Sequence, residues 1–238
     1  MADEDYIGFI PARAGSERVV GKNTRPFAGY EKGLLELKLR QMAKVTGLSR
    51  IVVSSNDDEV LSISADFART LDSRIQPLER PNEWGSSATS MGLFISDYIA
   101  HLFEQGTIVW THVTSPLITA AVYQDIIGAY EAAKSEGCDS LITVTKLQKF
   151  IWNREGPVNY DPKVEKWPRS QDLEPLFEIN HGVYMMPFAL MRERQDRIGH
   201  RPKFYELPET IAMDIDWPEQ FTHLEHLVVE RVAKGEAL

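Results

Sequence analysis

The sequence predicts an α/β fold, a mainly parallel sheet flanked by helices, and two observations carry that prediction. Short apolar segments alternate with amphipathic ones over most of the chain, the pattern of βαβ units, because parallel neighbours need a crossover between them. The first apolar segment also runs straight into a loop holding Arg13, Gly15, Ser16, Arg18, Gly21 and Lys22. Open α/β sheets bind ligands beyond the carboxyl ends of their strands, where such a loop lies. At 238 residues with 43% hydrophobic side chains, one substantial core can be filled, so a single domain over residues 1–238 is expected.

YIGFIPA (6–12) is the first strand, an unbroken apolar run. In GLLELKLRQMAKVTG (33–47), Leu35, Leu39, Met42 and Ala43 recur at helical intervals and Gly47 supplies the stop. RIVVSSN (50–56) is a second strand. The segment NDDEVLSISADFARTL then starts a helix, with Asn56 as N-cap, Glu59 at N3, and Asp57 and Asp58 near the positive end of the helix dipole. A helix over about 87–105 is expected to begin at GSSATS, leading into the strand TIVWTHV (107–113) and the turn TSP. Helix 120–137 precedes the strand DSLITVTKL.

From Lys146 to Pro175 the alternation fails; the segment is polar, punctuated by prolines and contains two tryptophans. A structureless loop of that length is unusual in a compact domain, so about 146–176 is read as an insertion or small arm. The sheet resumes at FEINHGVYMM (177–186), and TIAMDID (210–216) precedes a last helix from Pro218 to about Lys234.

Composition narrows the function. Lys and Arg total 26 against 35 Asp and Glu, a net charge of −9, which excludes a general nucleic-acid binder, since that class needs a basic footprint. Cys138 is alone, so neither a disulfide framework nor a cysteine metal cluster is expected, and a reducing cytoplasm fits. The opening MADEDYIG is acidic and lacks the basic start of an export signal, and no apolar run approaches the ~20 residues of a membrane span. A cytoplasmic protein without membrane partner is expected.

In the first loop, Ala12, Arg13, Ala14, Gly15, Ser16, Lys22 and Asn23 offer backbone amides, a hydroxyl and two positive charges to one ligand. A triphosphate suits them. The spacing is neither G-x-x-x-x-G-K-[ST] nor G-x-G-x-x-G, and a solvated basic loop is the competing reading. MDID sets Asp214 and Asp216 two apart, so that in an extended strand both carboxylates share a side, where they hold Mg²⁺ or are merely solvated. Ser86, Ser87 and Thr89 in GSSATS suit a ribose or phosphate, or simply cap a helix. Phe150, Trp152 and Trp167 on the arm are anchors for a second subunit or pack on their own. Lys146 and Lys149 are solvated, or reach an anion.

IPARAGSERVVGKN (10–23) resembles the opening signature of the acylneuraminate cytidylyltransferases. RIVVSSNDDEV, THVTSPL, PRSQDLEPLFEINHGVY and AMDID recur in that family's order across nearly the whole chain. The resemblance implies a Rossmann-like nucleotidyltransferase fold, a homodimer joined through the small arm, Mg²⁺ dependence, and transfer of CMP from CTP to a nonulosonate with release of pyrophosphate. It implies that Arg13 and Lys22 hold the β and γ phosphates, and that Asp214 and Asp216 hold metal, Asp216 also helping to position or deprotonate the nucleophile. His112, Thr114, Ser115, Arg169, Gln171 and Asn180 are then the sugar-side residues. Three positions depart from the family: His112 stands for its Gln, Ile118 for its Arg and His181 for its Gly. Those changes keep two alternatives open, CTP-dependent activation of an octulosonate or other acidic sugar, and a non-catalytic binding relative.

Overall fold

A computed structural model describes residues 5–86, 88–236 and 238. Its elements in chain order are β1 (Tyr6–Pro11), α1 (Gly33–Ala43), β2 (Leu48–Ser55), α2 (Asp58–Thr70), β3 (Ile75–Glu79), α3 (Asn82–Gly85) and α4 (Met91–Leu93). That last helix runs on through a π-helical stretch, Phe94–Tyr98, and a 3₁₀ turn, Ile99–His101. Then come β4 (Thr107–Thr111), α5 (Ala120–Ser135), β5 (Ser140–Leu147), β6 (Trp152–Asn153), β7 (Gly156–Pro157), β8 (Leu176–Pro187), α6 (Phe188–Arg194), β9 (Pro202–Glu206) and α7 (Pro218–Ala233).

Seven strands form one sheet in the order β3-β2-β1-β4-β8-β5-β9. All pairs are parallel except those of β8, which runs antiparallel to both β4 and β5. The sheet is covered on both sides, so its central strands are apolar throughout and alternate between two cores. Ile10, Val53, Val109 and Met185 pack with α1, α2, α5 and α7. Ile7, Phe9, Val52, Ile108, Trp110, Tyr184 and Met186 face the other way, onto the 94–100 segment and Phe188 and Met191 of α6.

Several sequence expectations shift here. The cap of α2 is Asp57, whose carboxylate accepts from the Glu59 amide at 3.0 Å, and not Asn56. The expected 87–105 helix begins only at Met91 and is irregular after Leu93; Ser86 and Thr89 precede it, and Ser87 lies outside the described residues. Residues 213–216 form no strand. Two edge strands, β3 and β9, and the seven-residue α6 have no counterpart in the prediction. The arm holds a hairpin of two two-residue strands, β6 with β7, and a 3₁₀ turn at Ser170–Asp172.

Candidate active site

The loop leaving β1 is tied down at both ends. The Ala12 amide donates to the Ser54 carbonyl at 3.0 Å, Ala14 donates to Asn56 Oδ1 at 3.0 Å, and Asn23 Nδ2 returns to the Arg13 carbonyl at 3.3 Å. Val19 is buried beneath it. Gly15 and Gly21 sit at φ +74° and +62°, a left-handed backbone that a side chain would strain. The result is an open cleft of about 470 Å³ along the carboxyl ends of β1 and β4, lined by Arg13, Ser16, Arg18, Lys22, His112, Thr114, His181, Arg197, Asp214 and Asp216, among others.

Across the cleft, residues 214–216 are clamped from three directions. The Ile215 amide donates to the Thr114 carbonyl at 2.9 Å, Lys22 Nζ donates to the Ile215 carbonyl at 2.8 Å, and the Asp216 amide donates to Gln220 Oε1 at 2.7 Å. Both carboxylates therefore line the cleft from an irregular loop, without the strand expected for them. Arg18 lies 3.2 Å and Lys22 4.0 Å from Asp216. Burial lowers the Lys22 pKa, while Asp214 and Asp216 pull it back up. Asp214 Oδ1 is buried with no hydrogen-bond partner among the described residues.

That orphaned oxygen bears on a metal. Mg²⁺ is bound through one or two carboxylates together with waters and substrate phosphates; two hard-oxygen side chains beside a phosphate-sized cationic loop fit it. Among the described residues no group of three or more His, Cys, Asp or Glu side chains gathers for a metal.

Residues 7–236 match the family described as cytidylyltransferase. The chain belongs to that family. It is a nucleotidyltransferase that uses CTP. This cytidylyltransferase is 24% identical over 218 residues to the pseudaminic acid cytidylyltransferase of Campylobacter jejuni, with 87% of this chain and 89% of that protein covered. It is 25% identical over 228 residues to the CMP-N,N'-diacetyllegionaminic acid synthase of Legionella pneumophila, covering 89% and 92%. Its fold matches a CMP:2-keto-3-deoxy-manno-octonic acid synthetase solved with CTP, at a TM-score of 0.68 and 14% identity over 95% and 99% of the two chains. No helix of the cytidylyltransferase, among the described residues, is long and apolar enough to cross a membrane.

Of the residues singled out in the sequence, Ala12, Arg13, Ser16, Lys22, Asn23, His112, Thr114, Asp214 and Asp216 line this one cleft. Ala14 and Gly15 belong to its loop without lining it. Ser86 and Thr89 line an adjoining pocket of about 300 Å³ with Arg80, Phe94 and Trp110. Others are elsewhere. Ser115 is buried and its hydroxyl has no partner among the described residues; its carbonyl accepts from Lys38 Nζ at 2.9 Å. Arg169 pairs with Asp172 at 2.7 Å on the exposed arm, and Gln171 is exposed beside it. The Asn180 side chain bonds Thr143 and Thr145 within the sheet. Lys149 pairs with Glu209 at 3.0 Å, and Ile118 is fully buried. His112 is desolvated on the cleft floor, which pushes its pKa down to about 3 and keeps it neutral.

Sequence reasoning missed Arg80, Lys38 and Arg197. Arg80 is buried, donates to Ser54 Oγ and the Ser54 carbonyl at 3.1 and 2.7 Å, and lies 4.6 Å from the Phe94 ring centroid. Burial pushes its pKa down to about 10, which leaves it charged at neutral pH. A lone arginine after a short edge strand has no sequence signature that marks it.

Proposed function

We propose that the protein transfers CMP from CTP to a nonulosonate-type sugar acid, releasing pyrophosphate. The observation that carries this is the pairing, in one cleft, of the cations Arg13, Arg18 and Lys22 with the carboxylates Asp214 and Asp216. Similarity to a pseudaminic acid cytidylyltransferase and a diacetyllegionaminic acid synthase supports the nonulosonate acceptor.

In this reading Arg13, Lys22 and the loop amides hold the β and γ phosphates, and the 300 Å³ pocket takes the cytidine. Arg80 there presents donors to the carbonyl and ring-nitrogen acceptors of cytosine, and Ser86 and Thr89 supply hydroxyls. Asp214 and Asp216 hold Mg²⁺, which when bound offsets charge on the leaving pyrophosphate. Asp216 helps position or deprotonate the anomeric hydroxyl as it attacks the α-phosphorus. Arg18 and Lys22, 3.2 and 4.0 Å from Asp216, hold that carboxylate in place at the cleft wall. Direct displacement needs no covalent enzyme intermediate.

The protein works as a homodimer through the arm, whose Trp152 and Trp167 are 57% and 67% exposed. Arg169 and Gln171, which do not line the cleft of their own protomer, then serve the acceptor site of the partner. The test supplies CTP, Mg²⁺ and a panel of nonulosonates, octulosonates and neutral sugars, and follows pyrophosphate release and CMP-sugar mass. CMP-nonulosonate with kcat/KM well above every other acceptor is expected. Nucleotide binding without turnover of any acceptor would replace the enzyme with a binding protein.

A further inference from the structure

On the β8 side the cleft holds a cation that lies outside the loop leaving β1. Arg197 lines the same cleft as Asp214 and Asp216. Its guanidinium carbon lies 4.0 Å from the Tyr184 ring centroid and 5.1 Å from that of Trp110. Stacking on π faces fixes the planar fork without neutralising it. Arg18 and Lys22 both approach Asp216, whereas no carboxylate among the described residues lies within ion-pair distance of Arg197.

His181 completes the arrangement. Its Nδ1 is 2.6 Å from the Tyr184 hydroxyl and 3.3 Å from an Arg197 nitrogen. Desolvation and the Arg197 charge lower the His181 pKa, so the ring is neutral at pH 7; Nδ1 accepts both bonds and Nε2 carries the proton. The backbone at His181 is at φ +57°, a left-handed conformation uncommon outside glycine, which histidine adopts more often than most side chains. The pairing of β5 with β8 shifts register here, between Ile142 and Val144, and Thr143 and Asn180 brace the bulge through bonds of 2.7 and 2.8 Å that include the Val183 amide. Bulges re-aim side chains, and backbone strain persists where a side chain is needed.

Along the order β1-β4-β8, the polyphosphate loop and the bulge leave strands two spacings apart, about 9.5 Å. We infer that Arg197, oriented by His181, anchors the carboxylate of the acceptor; the inference rests on the acidic-sugar reading above. In a 2-keto sugar acid the carboxylate is bonded to the carbon that bears the nucleophilic hydroxyl. A guanidinium fork on that carboxylate therefore fixes the hydroxyl beside Asp214 and Asp216 and lowers the entropic cost of attack. Arg197 is a specificity residue for acids, and His181 is a positioning residue.

The experiment measures steady-state kinetics with CTP and each 2-keto sugar acid of the panel, paired with its methyl ester. Arg197→Met should raise KM for the best acid roughly 10–100-fold, the range for a hydrogen bond to a charged group. It should leave KM for CTP within about twofold and erase the preference for acid over ester. Arg197→Lys, which keeps the charge without the fork, should fall between in acid KM and in acid preference; if the Met variant melts early, a Lys variant with the wild-type acid KM and acid preference counts against the fork as anchor. His181→Gly relieves the backbone, so its melting temperature should not drop, yet KM for the acid should rise and His181→Asn should restore part of the loss. Unchanged acid KM and acid preference in Arg197→Met would overturn the anchor and leave the proposed activity standing. A wild-type enzyme that uses neutral acceptors and none of the acids would overturn both.

Discussion

Asp216 faces Arg18 and Lys22, so replacing it acts on two things at once. In the proposed reaction, Asp216→Asn removes a metal-holding and proton-accepting charge, and it also frees Arg18 and Lys22 from their carboxylate partner. Turnover should fall by about 10²–10⁴, the range for general-base and charge-stabilising groups, while KM for CTP stays level or drops and circular dichroism shows an unchanged fold. Turnover near wild type would remove Asp216 from the chemistry. Lys38 makes a different prediction. It is fully buried, bonded to the Ser115 carbonyl and to the Tyr123 hydroxyl at 2.6 Å, and burial pushes its pKa down to about 7 against the pull of Asp214. An unfolded lysine keeps a pKa of ~10.4, so between pH 7 and 10 the unfolded chain binds more protons and stability rises with pH. Below pH 7 both states are protonated and the effect is flat. Relative to Lys38→Met, the wild type should gain up to ~1.4 kcal/mol per pH unit across that window in urea unfolding; a constant difference would place the ammonium in water. These residues also show what a sequence reveals. Arg13, Lys22 and Asp216 were legible because each sits in a short stretch whose neighbours share its chemistry. Arg197 stands among Arg192, Arg194 and Arg201, and only the fold distinguishes the one that stacks in the cleft.

Between β2 and α2, two adjacent polar residues divide two jobs, and the sequence assigned the helix cap to the wrong one. Asp57 caps α2, whereas Asn56 reaches out to hold the Ala14 amide and, through Nδ2, Asn82 Oδ1 at 3.3 Å. Asp57→Ala should therefore cost about 1 kcal/mol of stability, the usual worth of a cap, with KM for CTP little changed. Asn56→Ala should do the reverse, raising KM for CTP several-fold because the phosphate loop loses its tether. Denaturant midpoints and CTP kinetics on both variants separate the two, and equal effects in both assays would deny the division. The swap was invisible in sequence because Asn and Asp are near-equal N-caps, and one residue of offset decides which points into the helix. The missed strands have a physical reason too. β3 carries Pro77 and β9 begins at Pro202, and both are edge strands five residues long, where proline is tolerated and periodicity has no room to declare itself. The central strands, buried on both faces, announced themselves as apolar runs.

At the scale of the molecule, a net charge of −9 surrounds a cleft that gathers four cations, so the affinity for CTP depends on local concentration of charge and should weaken as salt rises. The arm sets the larger question. Phe150 packs on Tyr160 and Trp167 at centroid distances of 5.3 and 5.7 Å, leaving an aromatic surface on a segment with little regular structure, the composition of an interface centre. Its aromatic content was legible in the sequence; a docking partner for it has no sequence signature. If two protomers exchange arms, each cleft is completed by the partner's Arg169 and Gln171. Sedimentation at micromolar concentration should then give a dimer, and Trp152→Ser combined with Trp167→Ser should give a monomer. Complementation tests the exchange directly. Arg169→Ala and Asp216→Ala should each be nearly inactive alone, but refolded together they form mixed dimers in which one cleft has an intact Asp216 and an intact Arg169 from across the interface. Activity should return toward a quarter of wild type, because half of the dimers are mixed and each carries one competent cleft. An Arg169 that serves its own cleft gives no recovery from the same mixture, and an Arg169→Ala enzyme that is active by itself removes the arm from acceptor binding altogether.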